Sequence, residues 1–100
     1  MSVMMILKLK ADPDALERFA NANPELMARV EKAGRELGNV RHSFAAGDGE
    51  VVVVDEWPDE AAFHTFFASQ PDVGQIMHAA GAEGTPEITF YRKLDTPGQF

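Results

Sequence analysis

The sequence predicts an α+β fold of the ferredoxin-like type, with one antiparallel sheet and the element order βαββαβ. Three observations support this prediction: a β-forming segment near the start, a glycine-rich hairpin turn at residues 47–49, and helix-like segments on both sides of the hairpin. With 100 residues, the chain is expected to be a single domain over residues 1–100, in which residues 95–100 form a flexible tail.

The first half of the chain changes from a β-forming to a helical pattern. Residues 3–10 are mainly apolar at both alternating sets of positions, which predicts a strand covered on both faces. The DPD motif at residues 12–14 supplies a helix cap and a proline suited to a first turn. An apolar helical stripe follows and extends to Leu37, but Pro24 should kink or restart the helix.

In the second half, glycine and proline residues mark the boundaries between apolar segments. Gly38 is expected to end the preceding helix, and Gly81 the last one. The predicted segments are, in order, a strand at 40–46, a strand at 50–57, a helix from 58 interrupted at 70–72, a short helix at 73–80, a loop at 84–86 and a strand at 87–94.

Composition excludes several classes of function. Nine basic and sixteen acidic residues give a formal net charge of −7, which argues against nucleic acid and anionic membranes as partners. The chain has no cysteine, so disulfides, thiol catalysis and cysteine-type zinc sites are excluded, and the cytoplasm is the expected location. No glycine-rich phosphate loop follows a strand, and the three histidines are too dispersed in sequence to indicate a metal site.

One face of the predicted sheet needs a cover that the chain does not supply. Helices can cover only one face in this fold, and a face exposed to water would carry polar residues. The second hairpin strand instead contains four consecutive valines at 51–54. The same face of a second copy is the simplest cover, because a two-fold contact buries both sheets at once. The sequence therefore predicts a homodimer through the sheet face.

Three residues are candidates for catalysis. His42 lies on an apolar strand face, where its imidazole could move a proton near neutral pH or, alternatively, be a buried histidine with one partner. Asp55 shares a strand face with Trp57, so the two could form a pocket wall. Alternatively, the indole closes the strand end while Asp55 faces a loop or the dimer seam. The hydroxyl of Tyr91 could donate to a substrate oxygen or lie in water at the sheet edge.

The run VVDEWPDEAAFHTFFASQ, in which an acid precedes a tryptophan by two residues and an alanine- and phenylalanine-rich helix follows, resembles the antibiotic-biosynthesis monooxygenase-like family of dimeric α+β barrels. The closing strand EITFYRKL agrees with this resemblance. It implies a homodimer with a small cavity between sheet and helices in each subunit. Some members of that family oxidise polycyclic aromatic compounds without metal or flavin, so no cofactor is expected.

The predicted substrate pocket combines aromatic residues with one histidine: Trp57, Phe66, Phe67 and His78. Heme-degrading relatives use a histidine in this last helix as the iron ligand, a tryptophan in the helix before it and an asparagine on the first strand. Here a phenylalanine stands in place of the tryptophan, and the first strand MMILKLK has no asparagine. Heme is therefore the less favoured alternative, with His78 as its ligand only if heme binds.

Two functions of different classes remain open. The first is a monooxygenase-like enzyme that acts on a planar hydrophobic or aromatic small molecule. The second is a non-catalytic dimeric module that binds a small ligand or serves as an assembly unit. The lining of the cavity discriminates between them, because convergent polar groups around an apolar hole favour chemistry, whereas a filled interior favours a structural role.

Overall fold

The computed structural model describes residues 2–100, and Met1 of the predicted domain lies outside the described residues. Within this range the elements are β1 (Val3–Lys10), α1 (Pro13–Ala22), α2 (Pro24–Glu36), β2 (Arg41–Gly47), β3 (Glu50–Trp57), α3 (Glu60–Ser69), α4 (Pro71–Ala79) and β4 (Glu83–Arg92). The order of strand, helix pair, hairpin, helix pair and strand confirms the predicted α+β ferredoxin-like fold.

The strands form one antiparallel sheet in the order β2-β3-β1-β4. β1 lies in the interior of the sheet, and it pairs with β3 along its full length, from Val3 opposite Trp57 to Lys10 opposite Glu50. β2 and β3 are joined by a tight turn, in which Gly49 has a φ of 68°. This left-handed conformation strains any residue with a Cβ, which accounts for the glycine.

The proline positions divide both helical regions as the sequence predicts. Pro24 and Pro71 each occupy the first turn of a new helix, where the missing N–H has no partner to lose. The predicted start of α3 at Pro58 was two residues early, because Asp59 has an extended backbone and caps the helix. Its Oδ1 accepts a hydrogen bond from the N–H of Ala62 at 2.8 Å.

The last strand begins four residues before its predicted start. The predicted loop at 84–86 belongs to β4, and Glu83 pairs with Lys10 across an irregularity in the β1 register. Pro86 is compatible with this position because β4 is an edge strand, where one side of the backbone has no ladder to complete. Residues 93–100 follow without helix or strand, and the flexible tail at 95–100 stays a prediction.

The hydrophobic core lies between the four helices and one face of the sheet. Every helix contributes one large buried side chain to it: Leu16 from α1, Leu26 from α2, Phe63 from α3 and Ile76 from α4. The sheet contributes alternate residues of its two interior strands, namely Met5, Leu7 and Leu9 from β1 and Val51 and Trp57 from β3. This face of the sheet is therefore the floor on which a site can be built.

The opposite face of the sheet is apolar at its centre. Met4 and Ile6 on β1 and Val52 and Val54 on β3 alternate with the core residues and so project away from the helices. All four side chains are partly exposed, in agreement with the predicted uncovered face. Within residues 2–100, none of the helices combines the length and the apolar composition needed to cross a membrane.

Candidate active site

A cavity of about 280 Å³ lies between the core face of the sheet and helices α2, α3 and α4. Its wall is largely made of aliphatic, methionine and phenylalanine side chains. The charged or amide side chains that reach it are few, namely Glu31, Asn39, His42 and Asp55. An apolar cavity with a small number of polar groups is the usual composition of a small-molecule site.

Asp55 provides the central polar group of the cavity. The residue is only 4% exposed. Its Oδ1 lies 2.6 Å from Nδ1 of His42, and its Oδ2 accepts a hydrogen bond from Nε1 of Trp57 at 3.0 Å. Strand geometry produces this arrangement, because His42 lies directly opposite Asp55 in the hairpin and Trp57 is two residues further along the same face. Both carboxylate oxygens therefore have a partner.

The contact with Asp55 determines which nitrogen of His42 is available. A carboxylate only accepts hydrogen bonds, so Nδ1 carries the hydrogen and donates it to Asp55. In the neutral ring Nε2 is then an acceptor, and it has no hydrogen-bond partner among residues 2–100. The side chain lines the cavity and is 37% exposed. Such a pair can take a proton from a bound molecule while the carboxylate orients the ring.

An aromatic cluster forms the wall beside Asp55. The Trp57 ring is almost completely buried, and its centroid lies 5.3 Å from that of Phe66 and 5.7 Å from that of Phe63. Phe63 in turn stacks on Phe67, with centroids 5.4 Å apart and an interplanar angle of 19°. These contacts hold the indole N–H towards Asp55 and keep water away from the carboxylate.

The cavity opens to solvent beside the edge strand β2. Glu31 on α2 and His42 and Phe44 on β2 are its exposed lining residues. The ring of Phe44 meets that of His42 edge to face, with centroids 4.7 Å apart. The imidazole therefore lies at the mouth of the cavity, with the buried carboxylate of Asp55 behind it.

The structure brings five of the seven residues predicted for the site to one cavity. They come from both hairpin strands and from α3: His42, Asp55, Trp57, Phe66 and Phe67. The alternative in which Asp55 faces a loop or the dimer seam does not occur, because its side chain is directed to the core face.

Tyr91 and His78 lie elsewhere. Tyr91 pairs with Met4 in the register of β1 and β4, so its ring is on the open face of the sheet, where it is 53% exposed. His78 is exposed on α4, and it does not line the cavity because Met77 and Ile76 occupy the inward positions of that helix. A histidine outside the cavity does not fit heme ligation there, and a four-pyrrole macrocycle exceeds the available volume.

Gly34 and Asn39 are among the wall residues that the sequence did not predict. Asn39 donates from Nδ2 to the backbone carbonyls of Arg41 and Glu56, at 2.9 and 3.1 Å, and so fixes the start of β2. Gly34 is buried in the last turn of α2 and lines the cavity. A Cβ at this position would lie 3.4 Å from Oδ1 of Asn39 and 3.7 Å from Phe66. A glycine inside a helical stripe was the signal available in the sequence.

A second buried carboxylate, Glu56, lies on the open face of the sheet. Its oxygens accept from Oγ of Ser2 at 2.7 Å and from Nζ of Lys93 at 3.2 Å, and the Arg41 guanidinium is 3.4 Å away. The hydrogen bond from Ser2, followed by the hydrogen bond and charge of Lys93 and the charge of Arg41, lowers the pKa of Glu56, although burial opposes this shift. Within residues 2–100 no three acidic or histidine side chains are grouped as a metal site.

The fold is shared with several solved structures. The chain is similar to SnoaB, a cofactor-independent oxygenase from Streptomyces nogalater, with 20% identity, 98% of each chain covered and a TM-score of 0.61. A Caulobacter crescentus protein provisionally described as an antibiotic biosynthesis monooxygenase has 17% identity over 94% of this chain and 91% of its own, with a TM-score of 0.65. A conserved Methanosarcina mazei protein has 19% identity over 94% of each chain, with a TM-score of 0.64.

These identities establish a likeness of fold. Proteins named as antibiotic biosynthesis monooxygenases are among the structures that share it, in agreement with the family resemblance seen in the sequence. No protein-family model matches the sequence, and no curated protein matches it significantly. The chemistry must therefore be argued from the cavity itself.

Proposed function

We propose that this protein is a cofactor-independent oxygenase that acts on a planar aromatic substrate in the cavity between sheet and helices. The observation that carries this proposal is the hydrogen-bonded series Trp57, Asp55 and His42 at the edge of an otherwise apolar cavity. Convergent polar groups around an apolar hole favour an enzyme over a purely structural module. The likeness to SnoaB, which is a cofactor-independent oxygenase, supports the same reaction class.

In the proposed reaction His42 is the general base. Its Nε2 takes the proton of a substrate hydroxyl, since Nδ1 is already committed to Asp55. Asp55 keeps the ring in this tautomer and stabilises the imidazolium that forms. Trp57 holds Asp55 in position through the second carboxylate oxygen. The rings of Phe63, Phe66 and Phe67 exclude water from the cavity, which strengthens the hydrogen bonds of Asp55.

The substrate supplies the electrons. With 1-naphthol, loss of the hydroxyl proton gives a naphtholate whose para carbon is electron-rich. Molecular oxygen accepts electrons from this carbon and forms a C–O bond, which gives a hydroperoxide after protonation. Removal of the para hydrogen then breaks the O–O bond and releases water. The balance is 1-naphthol plus O₂ to 1,4-naphthoquinone plus H₂O, so no metal or flavin is required.

The experiment uses hydroxyarenes of one, two and three rings: phenol, 1-naphthol and 1-hydroxyanthracene. Incubation under ¹⁸O₂ should give a quinone with one labelled oxygen, identified by mass spectrometry. His42→Ala should lower kcat by roughly 10²- to 10⁴-fold, the usual contribution of a general base. His78→Ala is the matched control, because that histidine is exposed and outside the cavity, and it should keep the wild-type rate.

Two results would overturn the proposed function. The first is the absence of quinone above the uncatalysed rate with all three hydroxyarenes. The second is a His42→Ala protein that is as active as wild type.

We further propose that two copies pair through the open face of the sheet. Met4, Ile6, Val52 and Val54 form an apolar centre there, and a two-fold axis would bury both centres against each other. Sedimentation equilibrium at micromolar concentration should give twice the 11.0 kDa mass of the chain.

Substitution at this surface provides the control for the dimer. Val54→Asp introduces a charge at the apolar centre and should give a monomer. Val40→Asp adds the same charge at an exposed position before β2 and should leave the dimer intact. A wild-type protein with the mass of one chain would contradict this assembly.

A further inference from the structure

We infer that the cavity is sized for a hydroxylated aromatic molecule of two fused rings, and that Gly34 on α2 sets this limit. The inference rests on the proposed function for the class of ligand, but its arguments are the volume of the cavity, the polar groups that it leaves free, and the position of one glycine. It goes beyond the proposed reaction because it names the size of the substrate and a residue that determines specificity.

The volume of the cavity limits how many fused aromatic rings a ligand can have. An apolar protein cavity of about 150 Å³ holds one benzene molecule. The cavity here has about 280 Å³, which is slightly less than twice that volume. A second fused ring therefore fits, whereas a third would have to project through the mouth into solvent or displace the wall. A single ring would leave part of the apolar wall without contacts, which weakens binding.

The polar groups of the wall determine where a ligand can carry a hydroxyl. Asp55 already accepts from His42 and Trp57, and Asn39 uses its Nδ2 on two backbone carbonyls. Glu31 is at the exposed mouth, 3.4 Å from the guanidinium of Arg35. Apart from Glu31, the acceptors of this set without a donor among residues 2–100 are Nε2 of His42 and Oδ1 of Asn39.

A ligand hydroxyl at the mouth therefore has an acceptor in His42, and Oδ1 of Asn39, beside Gly34, offers a second acceptor. The rest of the wall is largely hydrocarbon. A hydroxyl that reaches neither acceptor would be buried without a partner, and such a loss weakens binding by about tenfold. The preferred ligand is thus polar beside His42 and Asn39 and apolar elsewhere.

Gly34 keeps part of this volume open. Gly34 is in the last turn of α2 and its backbone is helical, so a positive φ does not require glycine there, and alanine is the better helix former. The Cβ that it lacks would lie in van der Waals contact with Asn39 and Phe66, at 3.4 and 3.7 Å. Any longer side chain would have to extend into the cavity beside these two residues. Glycine at this position therefore leaves space for a ligand, although alanine would give a more stable helix.

Equilibrium dialysis under argon measures binding without oxidation. We expect 1-naphthol to bind wild type at least tenfold more tightly than phenol or 1-hydroxyanthracene. Naphthalene, which lacks the hydroxyl, should bind about tenfold more weakly than 1-naphthol. In His42→Ala the preference for 1-naphthol over naphthalene should disappear, because the acceptor is gone.

Substitutions of two helical glycines test the assignment of Gly34. Gly34→Leu should weaken 1-naphthol binding at least tenfold and leave phenol binding within about threefold, because one ring still fits. Gly74→Leu is the matched control, since a Cβ on that exposed α4 glycine meets no atom within 4 Å. It should bind all ligands as wild type does. If Gly34→Leu does not fold, Gly34→Ala replaces it and should weaken 1-naphthol several-fold.

The results separate this inference from the proposed function. Equal affinities for 1-naphthol and 1-hydroxyanthracene, or unchanged 1-naphthol binding in the folded Gly34 variant, would overturn the size limit even if a quinone is formed. Tight binding of 1-naphthol that follows the predicted order, but gives no quinone in air, would overturn the oxygenase proposal and support the size limit.

Discussion

Asp55 and Glu56 are consecutive carboxylates that the strand directs to opposite faces of the sheet. Both are almost fully buried, at 4% and 7% exposure. The partners of Glu56 are a hydroxyl and two cationic side chains, Lys93 and Arg41. The partners of Asp55 are an indole and an imidazole, Trp57 and His42. The two carboxylates are therefore similarly buried but have different electrostatic environments.

The partners of the two carboxylates differ in whether they can accept a proton from a ligand. His42 retains a second ring nitrogen at the mouth of the cavity, so a proton taken from a ligand can be held beside Asp55. Lys93 and Arg41 can only donate, and the hydrogen bond from Ser2 together with these two charges lowers the pKa of Glu56. We therefore assign the proposed proton transfer to the pair containing Asp55 and a purely structural role to Glu56.

The largest expected effect comes from the matched substitutions Asp55→Asn and Glu56→Gln. The amide introduced by Asp55→Asn can donate to Nδ1 of His42 and so favour the wrong imidazole tautomer, which should lower kcat for 1-naphthol oxidation by roughly 10²- to 10⁴-fold. Glu56→Gln should remain within about threefold of wild type, because its side chain is on the other face. Initial rates of quinone formation measure both, and a larger loss in Glu56→Gln would reverse the assignment.

A smaller effect is expected from removal of the indole N–H. Trp57→Phe keeps a ring against Phe66 but leaves Oδ2 of Asp55 without its donor, so the free energy of unfolding should fall by about 1–3 kcal/mol. Val40→Ala shortens a side chain that is exposed and outside the proposed dimer contact, and it should change the free energy of unfolding by less than about 0.5 kcal/mol. Urea denaturation compares the two variants. Equal decreases of the unfolding free energy in the two variants would mean that the hydrogen bond from Trp57 to Asp55 does not stabilise the fold.

The pH dependence of stability should reveal the environment of Glu56. Its pKa in the folded protein is below the ordinary value of 4.5, so its hydrogen bond from Ser2 and its ion pairs contribute fully above that value. This contribution is lost as the pH falls below 4.5 and through the folded pKa. Urea unfolding at pH 6 and at low pH should therefore show a larger decrease for wild type than for Glu56→Gln. The same decrease in both proteins would contradict the lowered pKa.

The smallest effect is expected from the exposed ion pair of Lys32 and Glu36 on α2. Their side chains are 3.9 Å apart and largely in water. Lys32→Gln should lower the free energy of unfolding by no more than about 0.5 kcal/mol, and less at high salt. Urea titrations at two ionic strengths measure it. If Lys32→Gln lowered the free energy of unfolding as much as Trp57→Phe does, exposed ion pairs would contribute as much stability as the buried hydrogen bond to Asp55.

The fold could be predicted because its signals are local. Alternation identified the strands and placed Asp55 and Trp57 on one face, while Pro24 and Pro71 divided the helices. Pro86 misled the prediction for β4, because a proline that ends an interior strand is tolerated at an edge. Local signals thus fix element types better than element ends.

The contact between His42 and Asp55 depends on one residue of the hairpin turn. The predicted three-residue turn at 47–49 would pair His42 with Val54, whose side chain lies on the open face. The observed turn keeps Gly47 in β2, which shifts the register by one residue and brings His42 opposite Asp55. The positions of Tyr91 and His78 depend on strand pairing and helix rotation between segments distant in sequence, which single-sequence patterns do not determine.

The proposed role of His42 is tested most directly by the position of the hydrogen on its ring, measured by NMR of protein labelled with ¹⁵N in its histidines. We predict a hydrogen on Nδ1, with the downfield shift of a hydrogen bond to a carboxylate, and an Nε2 resonance that moves when 1-naphthol is added under argon. His64 and His78, which lie outside the cavity, should not respond. A hydrogen on Nε2 instead of Nδ1, or an Nε2 resonance unchanged at saturating 1-naphthol, would contradict the role of His42 as the base that meets the ligand.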